Sequence, residues 1–401
     1  MRELCYLCKG KGLCGKQCKI LARLRKFQPK VKLEFSGSAS EIFVGRHGYP
    51  SVFTGILAPN IFGDTEIFSM PELWFRERAS IDRIMQYRSR LIYSRFKLEI
   101  RKNNKLHDAV KEIALASKSV ATEFKLMKKP VVTFKLDLHM PIVGNPAPLK
   151  KAVLQENPHI ERKAEYITGD YDLKAEDAVN ELYRAKIEIS NIIKILSAGL
   201  IGVRFQRKLV PSRWATTATD DIISKRLIKK IREFREISEF LLFNSEYLGN
   251  HYEILLIPSV YSFEVIEAKM PGSVWNPYGK KLWIAQDFEL YNCRKDYASS
   301  VSGAYYANRL ALAEYLLKIK KQASCLVMRE VREEYWAPCG VGVLREVTRE
   351  AFRKKPERFS TLSEALEVAN KRLRLPIEVF IKRSKLLEEF KKQKKLIHFG
   401  I

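Results

Sequence analysis

The chain has 401 residues, 46% of them hydrophobic and 29% charged, with 72 Lys+Arg against 46 Asp+Glu and a formal net charge of +26. This length and apolar content exclude a small single-core scaffold and a disordered chain, and they suit one large core or two packed cores. No apolar run approaches the ~20 residues of a membrane span, and Arg2 and Glu3 are followed by no apolar signal segment, so an intracellular, cytoplasmic protein is expected.

The basic excess favours a polyanion partner, with nucleic acid first and an anionic membrane surface second. A nucleic-acid partner implies a nucleoid-associated location. The wealth of charge also suits the surface ion pairing of a thermophile.

Four of the seven cysteines open the chain: Cys5, Cys8, Cys14 and Cys18, spaced C-x2-C-x5-C-x3-C. Glycines after Cys8 and Cys14 permit tight turns around a metal. Four thiolates suit tetrahedral zinc in a closed structural site, with an iron–sulfur cluster or two disulfides as the other uses of such a set. From Lys9 to Lys32 every charged residue is Lys or Arg. Lys19, Arg23, Arg25 and Lys26 therefore read as a phosphate-contacting patch or as a solvated basic face. Residues 1–35 form the knuckle and basic segment, and Ser36-Gly37-Ser38-Ala39-Ser40 reads as a linker.

An α/β body, with mixed α+β character and room for two subdomains, is expected over 36–375. Strand-like runs at 42–44 and 52–57 flank the turn Gly45-Arg46-His47-Gly48-Tyr49-Pro50, and Gly63-Asp64-Thr65 follows. Arg78 to Arg95 reads as a basic amphipathic helix and Leu106 to Ser117 as a second. Residues 131–139 alternate as a half-buried strand, Pro141 to Pro148 read as a loop, and 176–196 as one long helix.

Val210-Pro211-Ser212-Arg213-Trp214-Ala215-Thr216-Thr217-Ala218-Thr219-Asp220-Asp221 packs hydroxyls, an arginine, a tryptophan and paired aspartates into a loop before a basic helix. That helix presents Arg226, Lys229 and Lys230 as further nucleic-acid contacts. Strands follow at 252–257 and 261–267, the second ending in Glu267-Ala268-Lys269. E-x-K at a strand end resembles one piece of the metal-dependent nuclease motif, in which a carboxylate binds Mg²⁺ or Mn²⁺. Helices at 305–321, 344–352 and 363–372 and a strand at 324–331 complete the body. An active site, if present, is expected where Arg46, His47, Asp64, Arg213, Asp220, Asp221, Glu267 and Lys269 converge.

Residues 376–401 read as a lysine-rich tether, from Ser384 to Lys395, and a tail ending QKKLIHFGI. Leu396 and Phe399 eclipse on one 3₁₀ turn and form an apolar plug, with Gln393 a turn earlier. This resembles the motif by which repair and replication proteins dock on the sliding clamp PCNA. Gly400 stands where that motif carries its second aromatic.

Taken together, the cysteine knuckle, GRHGYP, VPSRWATTATDD, EAKMPGSVW, REVREEYWAPCGVGVLRE and the terminal QKKLIHFGI resemble the archaeal Nre family of DNA repair proteins. The resemblance runs nearly end to end. It implies repair of DNA damage, docking on PCNA and, in some members, an N-terminal zinc finger. It supplies no catalytic residues. A metal-dependent nuclease or other phosphodiester-processing enzyme, and an RNA-binding or RNA-processing protein, are the alternative readings.

Overall fold

The computed structural model describes residues 18–24, 32–131, 133–137, 139–276 and 279–392. Two six-stranded sheets organise the body, which is mixed α/β. The first has the order β1-β5-β8-β4-β3-β2, from β1 (Glu34–Ala39), β2 (Glu41–Val44), β3 (Ser51–Ala58), β4 (Ile92–Glu99), β5 (Val120–Leu126) and β8 (Pro146–Leu154). Its pairs are antiparallel except β4 with β8. Between β5 and β8 in sequence, β6 (Phe134–Lys135) and β7 (Val143–Gly144) make a separate short hairpin.

The second sheet runs β12-β11-β13-β10-β9-β14, from β9 (Phe240–Tyr247), β10 (Asn250–Ile257), β11 (Ser262–Lys269), β12 (Trp283–Glu289), β13 (Ser324–Val331) and β14 (Glu357–Phe359). Its central strands β10, β11 and β13 are buried along their whole lengths. Both faces are covered. Ile254, Val265 and Val327 share one core with the Gly303–Ile319 and Val341–Arg353 helices. Leu255, Ile266 and Met328 share another with Ala365, Phe380 and Leu387. Apolar residues on both faces are what a sheet sandwiched between helix layers requires, and the charges buried among them, such as Glu267 and Arg329, pair with one another.

A helical layer of Arg162–Gly169, Ala175–Arg184 and Ile189–Ser197 joins the two halves through the 20-residue Ser212–Ile231 helix. Ala215 and Ile223 of that helix belong to the helical core, whereas Ile228 and Ile231 belong to the main core. Among the described residues, no helix is long and apolar enough to cross a membrane.

Several elements depart from the sequence reading. Residues 36–39 of the expected linker are most of strand β1, where a Cβ on Gly37 would stand 2.0 Å from the Pro59 carbonyl oxygen. Glycine here serves close approach of two backbones rather than freedom. The basic helix spans Ile81–Arg90 and stops where Leu91 turns extended into β4. The alternating stretch 131–139 keeps only Phe134–Lys135 as strand, and the expected proline loop contains the start of β8. The long helix at 176–196 is two helices, divided where Lys186 takes a φ of 63°. VPSRWATTATDD is not a loop. From Ser212 onward it is helix, which buries Thr216, Thr219 and Asp220 on its inner side. The lysine-rich stretch beyond Ser384 is, over Lys385–Lys392, a helix seated on the second sheet through buried Leu386 and Leu387.

Candidate functional site

His139 lies fully buried at the centre of a polar cluster that draws on both halves of the chain. Its carbonyl accepts from the Val341 N–H at 2.9 Å, and Pro141 bridges Cys339, so the APCGV stretch fixes this segment in place. Nε2 of His139 is 2.7 Å from Ser302 Oγ and 3.1 Å from the Tyr297 hydroxyl, which lies 3.2 Å from the same Oγ. On the opposite side of the ring, Nδ1 stands 3.5 Å from Asp137 Oδ1, an electrostatic contact rather than a hydrogen bond. Asp137 in turn meets Arg213 Nη1 at 3.3 Å and accepts from the His139 main-chain N–H at 2.9 Å.

Ser302 is held in a conformation that L-residues rarely adopt, with φ 64° and ψ −126°, immediately before the Gly303–Ile319 helix. Asp287 anchors the approach by accepting from the N–H groups of Ser300 at 2.9 Å and Val301 at 2.6 Å. The Ala298 N–H donates to the Tyr306 hydroxyl, and Tyr297 stacks on the Tyr306 ring. Gly303 is the close-approach glycine. A Cβ there would lie 2.5 Å from His139 Cδ2 and drive the histidine off Ser302.

Burial pushes the His139 imidazole below its ordinary range; Asp137 opposes this, and Arg213 and Arg46 reinforce it. Burial alone would raise Asp137, but the adjoining His139 and Arg213 outweigh it and hold the carboxyl well below the usual range. A carboxylate beside Nδ1 of a neutral imidazole favours the tautomer with its proton on Nδ1, in which Nε2 accepts.

The rim is basic and aromatic. Arg46 is half-buried in the GRHGYP turn, which is tied to the Ser212–Ile231 helix because Val44 N–H donates to Ser212 Oγ at 2.9 Å. Tyr49 and Trp214 are 41% and 44% exposed, with ring centroids 5.3 Å apart. Tyr297 is likewise half-exposed. Behind His139 a partly open, mainly apolar cavity of about 60 Å³, with the polar side chains of Ser40, Ser69, Lys194, Thr216 and Arg345 also in its wall, is too small for a nucleotide.

The structure brings Arg46 and Arg213 to His139 and distributes most of the remaining sequence candidates elsewhere. His47 is exposed in the same turn as Arg46, and Asp64 is exposed on a groove with Lys118 and His159. Asp220 is buried in a bidentate pair with Arg345, and Asp221 pairs with Arg309 and Lys225. Glu267 is buried between Arg329 and Lys269, and Lys269 lies over the Trp283 ring. Asp220, Asp221 and Glu267 already have cationic partners and Asp64 lies on a separate groove, so a single site holding all eight residues does not form. Among the described residues, no group of three or more His, Cys, Asp or Glu side chains is placed to hold a metal ion.

Of the expected zinc ligands, Cys5, Cys8 and Cys14 lie outside the described residues. Cys18 is half-buried against the main core, next to Leu21 and the fully buried Leu24 of the Lys19–Leu24 helix. Arg25, Lys26, Gln393, Leu396 and Phe399 are also outside the described residues. Lys229 and Lys230 are exposed at the C-terminal end of their helix, where the helix dipole favours cations, and Arg226 reaches Asp177 at 4.0 Å.

Comparison with known proteins bears on the two halves of this site. Residues 13–276 match the family described as Archaeal Nre, N-terminal, and residues 289–399 match Archaeal Nre, C-terminal. The chain belongs to the archaeal Nre family. It is 34% identical over 388 residues to the DNA repair protein NreB of Archaeoglobus fulgidus, covering 96% of this chain and 97% of that one. It is 37% identical over 376 residues to NreA of the same organism, covering 92% and 93%. To NreA of Haloferax volcanii it is 35% identical over 362 residues, covering 86% of each. No solved structure matches the chain. In this Nre chain, Asp137 and His139 come from the N-terminal matched region and Ser302 from the C-terminal one, so the cluster exists only when both are folded together.

Sequence reasoning missed Asp137, His139, Tyr297 and Ser302. The available signals were weak: an Asp-x-His pair inside an alternating stretch, and a Ser-Gly pair opening an alanine-rich helix.

Proposed function

We propose that this chain is a DNA repair factor that binds DNA across the rim formed by Arg46, Tyr49, Arg213 and Trp214. The observation that carries the reading is the exposed Tyr49–Trp214 pair beside two arginines, in a chain of net charge +26. Aromatic faces stack on bases of any sequence, and arginines hold the phosphates between them. The relatives named DNA repair proteins support the same role. Lys19, Arg23, Arg25, Lys26, Arg226, Lys229 and Lys230 extend the contact to flanking phosphates. Cys5, Cys8, Cys14 and Cys18 hold one structural zinc, and Gln393, Leu396 and Phe399 dock on the sliding clamp PCNA.

Fluorescence anisotropy with labelled single-stranded, nicked and branched DNA, across a salt series, tests the reading. Trp214→Ala is expected to weaken binding by about 5- to 100-fold, the value of one stacked base. Arg46→Ala is expected to flatten the salt dependence by about one counterion. Wild-type affinity and slope in both variants would sink the proposal, and tighter binding to RNA of the same sequence would replace DNA as the partner.

A further inference from the structure

We propose that Ser302, His139 and Asp137 form a nucleophilic triad that cleaves a phosphodiester on the DNA held by the adjoining rim. This rests on the DNA-binding reading above and adds a chemical step to it.

The geometry has the parts that serine nucleophiles use. Ser302 Oγ is 2.7 Å from His139 Nε2, and Asp137 lies against the other ring nitrogen. An activated serine needs a base within hydrogen-bond reach and a group that orients that base. Ser302 also occupies a strained turn at the head of a 17-residue helix, the backbone arrangement that presents a nucleophile at a sharp elbow. The Tyr305 N–H already donates to the Ser302 carbonyl at 3.1 Å, which leaves the N–H groups of Gly303 and Ala304, at the very start of the helix, as the donors for a developing oxyanion.

A purely structural role explains this poorly. The positive φ at Ser302 would be relieved by glycine, yet the chain carries serine there and places glycine one residue later. A buried histidine needs one partner for its Nε2, and here two hydroxyls converge on it. Tyr297 is the link to solvent. Its ring is half-exposed while its hydroxyl touches both Oγ and Nε2, so displacing this one side chain opens the pair to a ligand. The Tyr297 oxygen marks where a substrate oxygen would sit.

The rim selects the substrate class. Arg46 acts on His139 through its charge and Arg213 contacts Asp137, so the mouth is cationic and suits a phosphate ester better than a neutral acyl ester. In the step, Ser302 Oγ attacks phosphorus, and its proton passes to His139 Nε2. The bond from phosphorus to the leaving nucleoside oxygen breaks, and that oxygen takes the proton from His139. Water then attacks the seryl phosphodiester with His139 as base, the bond from phosphorus to Oγ breaks, and Oγ recovers a proton. The balance requires water and no oxidant or reductant.

The test uses the full-length protein with a fluorophosphonate probe, read by intact mass and peptide mapping, and with bis(p-nitrophenyl) phosphate, read by phenolate release. The expected result is one adduct on Ser302 and measurable phosphodiester turnover. Ser302→Gly should lose both while keeping the fold, because glycine accepts the φ of 64°. His139→Ala should slow both on the order of 100-fold, the value of a general base. Three results would overturn the proposal: no adduct at Ser302, equal labelling in His139→Ala, or turnover of p-nitrophenyl acetate with none of the phosphodiester. DNA binding measured on Ser302→Gly separates the two readings. Wild-type affinity with no chemistry in the native protein removes the triad and leaves the DNA-binding role standing.

Discussion

Asp220 stood among the sequence candidates for catalysis, and the structure makes it an internal counter-ion. Its carboxylate accepts from Arg345 Nε at 2.9 Å and Nη2 at 3.0 Å, and both residues are fully buried. The next carboxylate to Arg345 is Glu72, 3.9 Å from Nη1. Asp220→Asn keeps the shape and one acceptor but removes the charge, leaving a buried guanidinium without its partner. Breaking such a pair from one side costs about 3–5 kcal/mol, a large share of the ~5–15 kcal/mol that holds a typical protein folded. With a urea slope near ~3 kcal/mol per molar, the unfolding midpoint should fall by about 1 M or more. Removing both charges with Asp220→Leu and Arg345→Met should recover most of the loss, because the desolvation cost disappears with the pair. Equilibrium urea unfolding followed by tryptophan fluorescence reads all three proteins. A loss below about 1 kcal/mol in Asp220→Asn, or a double variant no better than the single one, would refute the reasoning.

Lys194 gives a pH signature. Burial lowers its amine to about 8, while its Nζ donates to the carbonyls of Ser40 and Ala116. In the unfolded chain the amine titrates near ~10.4, so between these values the unfolded state binds more protons and stability rises with pH. The rise should be about 1 kcal/mol from pH 7 to pH 9, and Lys194→Met should lack it; thermal melts at the two pH values that move in parallel for both proteins would contradict this. Elemental analysis of the native protein should find about one zinc per chain, and iron with sulfide, or no metal, would count against the knuckle. Leu396→Ala with Phe399→Ala should abolish binding to PCNA in surface plasmon resonance and leave DNA affinity unchanged. Wild-type clamp affinity in that variant would return the tail to a structural role.

The second sheet was readable because its central strands are short, apolar-rich runs bounded by turns, as at Tyr252 to Ile257 and Ser324 to Val331. The helices after it were readable from their spacing. Gly37 and Ser212 misled because local composition, small and polar, was decided by distant contacts: the Pro59 carbonyl against Gly37, and the Val44 N–H on Ser212. The same holds for the site. Arg46 and Arg213 stood out as charged residues in dense motifs, yet the histidine they surround did not. His139 and Ser302 are 163 positions apart, and no local pattern links them. Asp220 and Glu267 drew notice by their chemistry, and only tertiary pairing with Arg345 and Arg329 showed that their charges are already matched.

Photo-crosslinking tests the central claim, that DNA lies across the Arg46–Trp214 rim, most directly. Full-length protein bound to single-stranded DNA carrying 4-thiothymidine is irradiated, digested and mapped by mass spectrometry. The account predicts crosslinks on peptides containing Tyr49, Trp214 and Tyr297, lost in Trp214→Ala and competed away by unlabelled DNA. Crosslinks confined to residues 1–35 or to the Arg226–Lys230 turn, with none at the rim, would contradict it.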